Sequence, residues 1–368
     1  MTEIETLHDL DATLARSTSL RGLRIQDLDL TGHEAQLLGR TDLDGMVVLG
    51  GRLSPELDAH LRLHGALVFP TDPEAPVNAY RATLYQPHEL YDGLAEHGYE
   101  RTPDALAYHW SRDATLHHDA FVSLLRAVHD DSVTDALTEF LGAAPVVGVM
   151  GGHALSRGTD AYAGAARLGH RLASASLVVA TGGGPGAMEA ANLGALCPSE
   201  EVLDGALQRL AATPSFRPSI ADWAGVALDA YDEIVGIPLP ESSVRSIGIP
   251  TWFYGHEPPN VFCNGIAKYF SNAVREDGLL ARATAGLVVL HGAAGTVQEI
   301  FQSITPLYYA EEDRTLAPLV LVGVEHWSRT VPVWPAIEAL GRNRGLGRVV
   351  HLVDDVDEAA EIVLSSRG

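Results

Sequence analysis
Cysteine is nearly missing from this chain, with Cys197 and Cys263 the two among 368 residues. So few exclude a disulfide-built scaffold, and their separation excludes a clustered zinc site, which leaves two reduced, semi-buried thiols. Basic residues are scarce as well. Against 48 Asp and Glu stand 25 Lys and Arg, a formal charge of −23, whereas a nucleic-acid surface needs clustered cations to displace the counterions of a phosphate backbone. Nucleic acid is therefore excluded as a general partner, and an anionic ligand has to be met by local donors. No apolar run approaches the roughly 18 residues of a membrane-spanning helix. The first residues, Met-Thr-Glu-Ile-Glu-Thr-Leu-His-Asp, lack the basic and apolar regions of a signal peptide. The expectation is a cytoplasmic protein with no membrane partner.

Glycine, at 36 residues, is plentiful and falls where chemistry gathers. Residues 176–192 read Ser-Leu-Val-Val-Ala-Thr-Gly-Gly-Gly-Pro-Gly-Ala-Met-Glu-Ala-Ala-Asn. A short Val-rich run predicts a buried strand, Gly182, Gly183 and Gly184 permit a tight turn, and Pro185 suits the first turn of a helix. The first amides of such a helix have no intrahelical partner and sit at the positive end of its dipole, so the turn is a seat for phosphate. The motif resembles the GxGxxG dinucleotide fingerprint without matching it. The pattern recurs at 144–158, where Ala-Pro-Val-Val-Gly-Val-Met leads into a glycine turn ending near Arg157, and at 285–299, where an apolar run leads into His291-Gly-Ala-Ala-Gly-Thr-Val-Gln-Glu299.

The remaining periodicities divide the chain. Residues 45–51 and 65–69 predict strands separated by a helix over 54–64, followed by turns at 70–76 and helical segments at 87–97 and 118–141. Residues 1–140 thus form a smaller α/β module, and 141–368 the main domain. In the latter, strands at 144–150, 177–180, 233–238, 285–290, 317–323 and 348–353 alternate with helices, among them a helix-prone insert at 200–212 and 219–231. Alternation of that kind implies parallel pairing with right-handed crossovers, a doubly wound, Rossmann-like sheet whose ligands collect at the strands' carboxyl ends. The adjacent His117 and His118 do not make a metal site, because neighbours on a helix point about 100° apart and no second ligand pair follows at helical spacing.

Several side chains around the glycine turns carry two readings. Thr296-x-x-Glu299 is either a capping box or a carboxylate facing a ribose, with the amides at Gly295 and Thr296 on phosphate oxygens. Glu189 and Asn192 lie on the helix after the first turn, Glu189 either facing the strand ends or simply favoured there by the dipole. Residues 252–262, Trp-Phe-Tyr-Gly-His-Glu-Pro-Pro-Asn-Val-Phe, are either a nucleobase-stacking loop or a packed or subunit-contacting one. Nothing around Lys268 resembles a pyridoxal-phosphate site.

In order along the chain, Val-Gly-Val-Met-Gly-Gly from 147, Thr-Gly-Gly-Gly-Pro-Gly-Ala-Met-Glu-Ala-Ala-Asn from 181, Ile-Val-Gly-Ile-Pro from 234 and the 291–299 motif resemble the LOG family, once mislabelled lysine decarboxylases. The resemblance covers residues 144–365 and implies hydrolysis of a nucleoside 5′-monophosphate to free base and ribose 5-phosphate, by a homodimer, with neither metal nor cofactor. It implies that Gly183, Gly184 and Gly186 shape one wall, with Glu189 and Asn192 behind them. Gly292, Gly295 and Thr296 hold the phosphate, Arg157 lies where an anionic or sugar group is held, and Glu299 is the catalytic acid. The family signature Pro-Gly-Gly-x-Gly-Thr-x-x-Glu is departed from at His291 and at Ala293, where a Cβ restricts positive φ and close approach. The family's Arg-Lys pair maps by spacing to Glu276, with Arg275 its neighbour and the candidate for the catalytic arginine. The same fold without turnover would be a nucleotide-binding or sensing protein, or a carrier of a phosphorylated cofactor.

Overall fold
The computed structural model describes residues 3–16, 19–238, 244–253, 257–311 and 316–366. The chain divides into two compact units, Met1–Leu84 with Arg112–Phe140, and Tyr85–Ser111 with Leu141–Gly368.

The smaller unit is built on a parallel sheet in the order β1 (Glu3–Ile4), β2 (Arg24–Gln26), β3 (Val47–Leu49) and β4 (Leu67–Phe69). Helix Pro55–Leu63 joins β3 to β4 and starts on Ser54, whose hydroxyl accepts from the Leu57 amide, with Pro55 in the first turn, where its missing N–H costs nothing. Ile25, Val48, Leu57, Leu61 and Val68 meet in one apolar core.

The larger unit holds seven strands, β5 (Val146–Met150), β6 (Val178–Thr181), β7 (Ser246–Gly248), β8 (Gly265–Ile266), β9 (Gly286–Val289), β10 (Leu319–Val322) and β11 (Val350–Val353). They pair in parallel in the order β11-β10-β9-β5-β6-β7-β8. Every residue of β5, β6, β9 and β10 is buried, as a sheet covered on both faces requires, which is why these strands read as unbroken apolar runs. The chain winds outward from β5 to β8, then resumes at β9 on the other side of β5. The expected doubly wound, Rossmann-like α/β sheet is therefore present, with its topological switch between β5 and β9.

Three local readings are corrected. Residues 233–238 are not a strand: helix Ile220–Val235 takes the first three of them and ends at Gly236, and the strand in that part of the sheet is Ser246–Gly248. Ile234 is apolar because it completes the buried stripe Trp223, Ala227, Ala230, Ile234, spaced at helical rather than strand period. The single helix over 87–97 is two short ones, Pro87–Leu90 and Leu94–His97, separated by Gly93 at φ 72°. Segment 85–111, read from the sequence with the N-terminal module, packs in the larger unit. There the Tyr85 amide donates to Ile266 O at 3.0 Å and the Tyr91 hydroxyl to Pro259 O at 2.6 Å. Asp104, itself buried, accepts from the Tyr99 hydroxyl at 2.7 Å, Trp252 Nε1 at 2.9 Å and Lys268 Nζ at 2.5 Å. Lys268 is thus the buried partner of a carboxylate. Both cysteines are buried, and burial pushes the Cys197 thiol up to about 12 and Cys263 above its usual value. Among the described residues no helix is long and apolar enough to cross a membrane.

Candidate active site
Three loops converge at the carboxyl ends of β5, β6 and β9. The Gly152 amide donates to His291 O at 2.8 Å and the Ala187 amide to Gly152 O at 3.2 Å, so the 151–152 loop ties the two glycine turns together. Gly186 has to be glycine: its φ is +75° and a Cβ there would stand 2.6 Å from Gly152 O. Helix Ala187–Leu196 follows it, so the helix begins two residues after Pro185.

On the facing wall, helix Ala294–Tyr308 starts after Ala293 with no side-chain cap. The capping-box reading fails, because Thr296 and Glu299 both lie inside the helix and Glu299 turns elsewhere. Ala293 has φ −121° and ψ −147°, an extended conformation open to any residue, so the loop places no positive-φ demand at this departure from the family signature. Gly292 does need to be small, since a Cβ would meet the Thr296 hydroxyl at 2.2 Å. Ala293, Ala294 and Gly295 are exposed and Thr296 is buried, and the first amides of this helix have no intrahelical acceptor.

Arg275 and Glu299 are brought together. Both are buried, and Arg275 Nη1 donates to Glu299 Oε1 at 3.2 Å. Arg275 is aimed by two carbonyls just past strand ends: Nε donates to Ile249 O at 2.8 Å and Nη2 to Gly182 O at 3.4 Å. It lies on helix Asn272–Arg282, and its neighbour Glu276, the position reached by spacing, instead accepts from Gln298 Nε2 at 2.5 Å. Burial pushes the Glu299 carboxyl above its ordinary value; Arg275 opposes this and Glu276 adds to it. His291, in place of the family proline, stacks on His326 with ring centroids 4.4 Å apart, and burial, then His326, lower its pKa.

The other expected residues are placed differently. Arg157 and Glu189 are almost fully buried and bond each other at 3.1 and 2.5 Å, with the guanidinium 4.6 Å above the Trp223 ring and donating to Trp223 O at 3.1 Å. Their charges are directed at each other. Asn192 accepts from the Thr181 hydroxyl at 2.6 Å and Asn260 Nδ2 at 3.0 Å, and donates to the Ser246 hydroxyl at 2.9 Å and Ile247 O at 3.2 Å, so it braces β6 against β7. Asn260, which the sequence reading did not single out, shapes the first turn: its amide donates to Gly183 O at 2.8 Å and its Nδ2 to Gly184 O at 3.1 Å. A polar residue between Pro259 and Val261 in an otherwise apolar stretch was its available signal. In the aromatic segment, Trp252 is buried and stacked on Phe270 at 4.6 Å, a packing role. Phe253 is exposed, and residues 254–256 lie outside the described residues.

Beside the first turn opens a cleft of about 180 Å³, lined among others by His153, Ser156, Gly186, Ser215, Phe216 and Trp223. Residues 213–217 carry no motif and drew no reading from the sequence.

No protein-family model and no curated protein matches the chain. Among solved structures, the chain is similar to the molybdenum cofactor binding protein of Rippkaea orientalis at 16% identity and TM-score 0.36, over 62% of this chain and 99% of that one. It is also similar to the molybdenum cofactor carrier protein of Chlamydomonas reinhardtii at 17% identity and TM-score 0.36, over 61% of this chain and 98% of that one.

Proposed function
We propose that the larger unit hydrolyses the N-glycosidic bond of a nucleoside 5′-monophosphate. The observation that carries this reading is the buried Arg275–Glu299 pair, 3.2 Å apart, in which Arg275 of helix Asn272–Arg282 meets Glu299 one turn into helix Ala294–Tyr308, beside the sheet's switch point. The 5′-phosphate takes the free amides at the start of helix Ala294–Tyr308. The ribose lies between that helix and the turn at 182–186. As the bond from C1′ to the base nitrogen breaks, its electron pair leaves with the base and positive charge grows on the sugar. The Glu299 carboxylate stabilises that charge and takes a proton from the water that attacks C1′, and the same proton is then returned, through solvent, to the nitrogen of the departing base, which regenerates the carboxylate. Arg275, clamped by two carbonyls, positions Glu299.

Incubation with AMP, GMP, CMP, UMP and IMP, followed by chromatography, is expected to yield free base and ribose 5-phosphate from at least one of them. A nucleotide that raises the melting temperature without releasing base would leave a binding protein and defeat the hydrolase reading.

A further inference from the structure
The cleft lined by residues 153–156, 185–186 and 214–217 has no part in the reaction as described, yet it adjoins the same turn. We propose that it is the subsite for the nucleobase and that it selects a planar, uncharged heterocycle. The inference rests on the mononucleotide reading above.

The cleft is sized for such a group: about 180 Å³ is the liquid volume of about six waters. Its aromatic lining is electrically balanced, and the Phe216 and Trp223 rings that form it stand edge to face, their planes 71° apart. Phe216 and Trp223 meet at 6.2 Å, and Arg157 over the Trp223 ring is matched by Glu189, so a neutral ring is not penalised there as it would be against a bare charge. The mouth carries hydrogen-bonding groups that suit the edge of a base, namely the hydroxyls of Ser156 and Ser215, the His153 ring and the Arg217 guanidinium. Position agrees. Gly182 O accepts from the Arg275 guanidinium and Gly186 lines the cleft, and the four Cα-to-Cα steps from one to the other span at most about 14 Å. The Arg275 clamp and the cleft therefore adjoin the two ends of one short turn.

Ser215→Trp and, from the opposite wall, Ser156→Trp fill the cleft independently. Measured by calorimetry, either is expected to weaken AMP binding about tenfold or more, the loss of one base-stacking contact, while ribose 5-phosphate binding changes by less than about twofold. Adenine is also expected to quench wild-type tryptophan fluorescence and to do so less in Trp223→Phe, a readout that needs neither filled variant to fold. Unchanged AMP affinity in a folded filled variant, or loss of ribose 5-phosphate binding in it, overturns the base assignment alone. Failure of the wild-type protein to bind either AMP or ribose 5-phosphate overturns the mononucleotide reading and this inference with it.

Discussion
In the proposed reaction a single carboxyl, Glu299, concentrates the chemistry, and its environment makes its contribution measurable. Glu299→Gln preserves shape while removing the base, and is expected to lower the rate of base release by about 10²-fold or more with nucleotide binding retained. Because burial raises the Glu299 pKa, wild-type activity is expected to rise with pH through a midpoint above the ordinary carboxylate range, a limb absent from the residual rate of Glu299→Gln. Arg157 presents the opposite case. The sequence placed it and Glu189 on the crevice separately, and nothing in a one-dimensional pattern shows that two residues 32 apart neutralise each other inside the fold. Arg157→Met strands a buried carboxylate and is expected to cost about 3–5 kcal/mol of stability, read from the urea midpoint, whereas Arg157→Met with Glu189→Leu recovers most of it. If the single variant is as stable as wild type, the pair is not the structural unit described.

At the scale of elements, what was legible followed burial. β5, β6, β9 and β10 sit inside the sheet and announced themselves as Val-rich runs, and the two glycine turns followed because the tight turn from strand to helix brings backbone too close for a Cβ at Gly186 and Gly292. What was not legible was short or misleading: β1 and β8 have two residues each, too few for a period to show, and the apolar end of helix Ile220–Val235 imitates a strand. Helix packing hid a further constraint. Helices Asp160–Ser174 and Ala187–Leu196 approach so closely that a Cβ on Gly194 would lie 1.7 Å from Ala166 O. Gly194→Ala must push the helices apart, at an expected cost of about 1–3 kcal/mol. Gly205, inside helix Glu200–Leu210 with nothing within 4 Å of its would-be Cβ, is the control: Gly205→Ala is expected to stabilise by about 0.5–1 kcal/mol. Equal effects of the two substitutions on the melting temperature would contradict the packing account.

Over the whole molecule, the sequence showed two α/β units but not their division, because segment 85–111 is held in the larger unit by Asp104, Tyr91 and Tyr85 through bonds to residues 252–268, far along the chain. The charge of −23 also acts locally. In the smaller unit Arg24 pairs with Glu3 at 3.0 Å and Asp135 at 3.1 Å, and Glu5 and Glu139 add to an acid group that one guanidinium does not balance. Partial burial, then Glu139, Glu3 and Asp135, push the Glu5 carboxyl up to about 6 from 4.5. A raised carboxyl pKa means that the folded state holds the proton more tightly than the unfolded state. Its stabilising share is therefore complete below 4.5 and is lost as pH rises through about 6, the reverse of a salt-bridged acid. Glu5→Gln is accordingly expected to stabilise the protein at pH 7.5, by an amount limited by solvent screening at this half-buried site, and to lose that advantage as the pH approaches 4.5. Thermal unfolding of both proteins across this range decides it. An advantage that stays constant with pH would show that Glu5 exerts its effect through packing rather than through its charge.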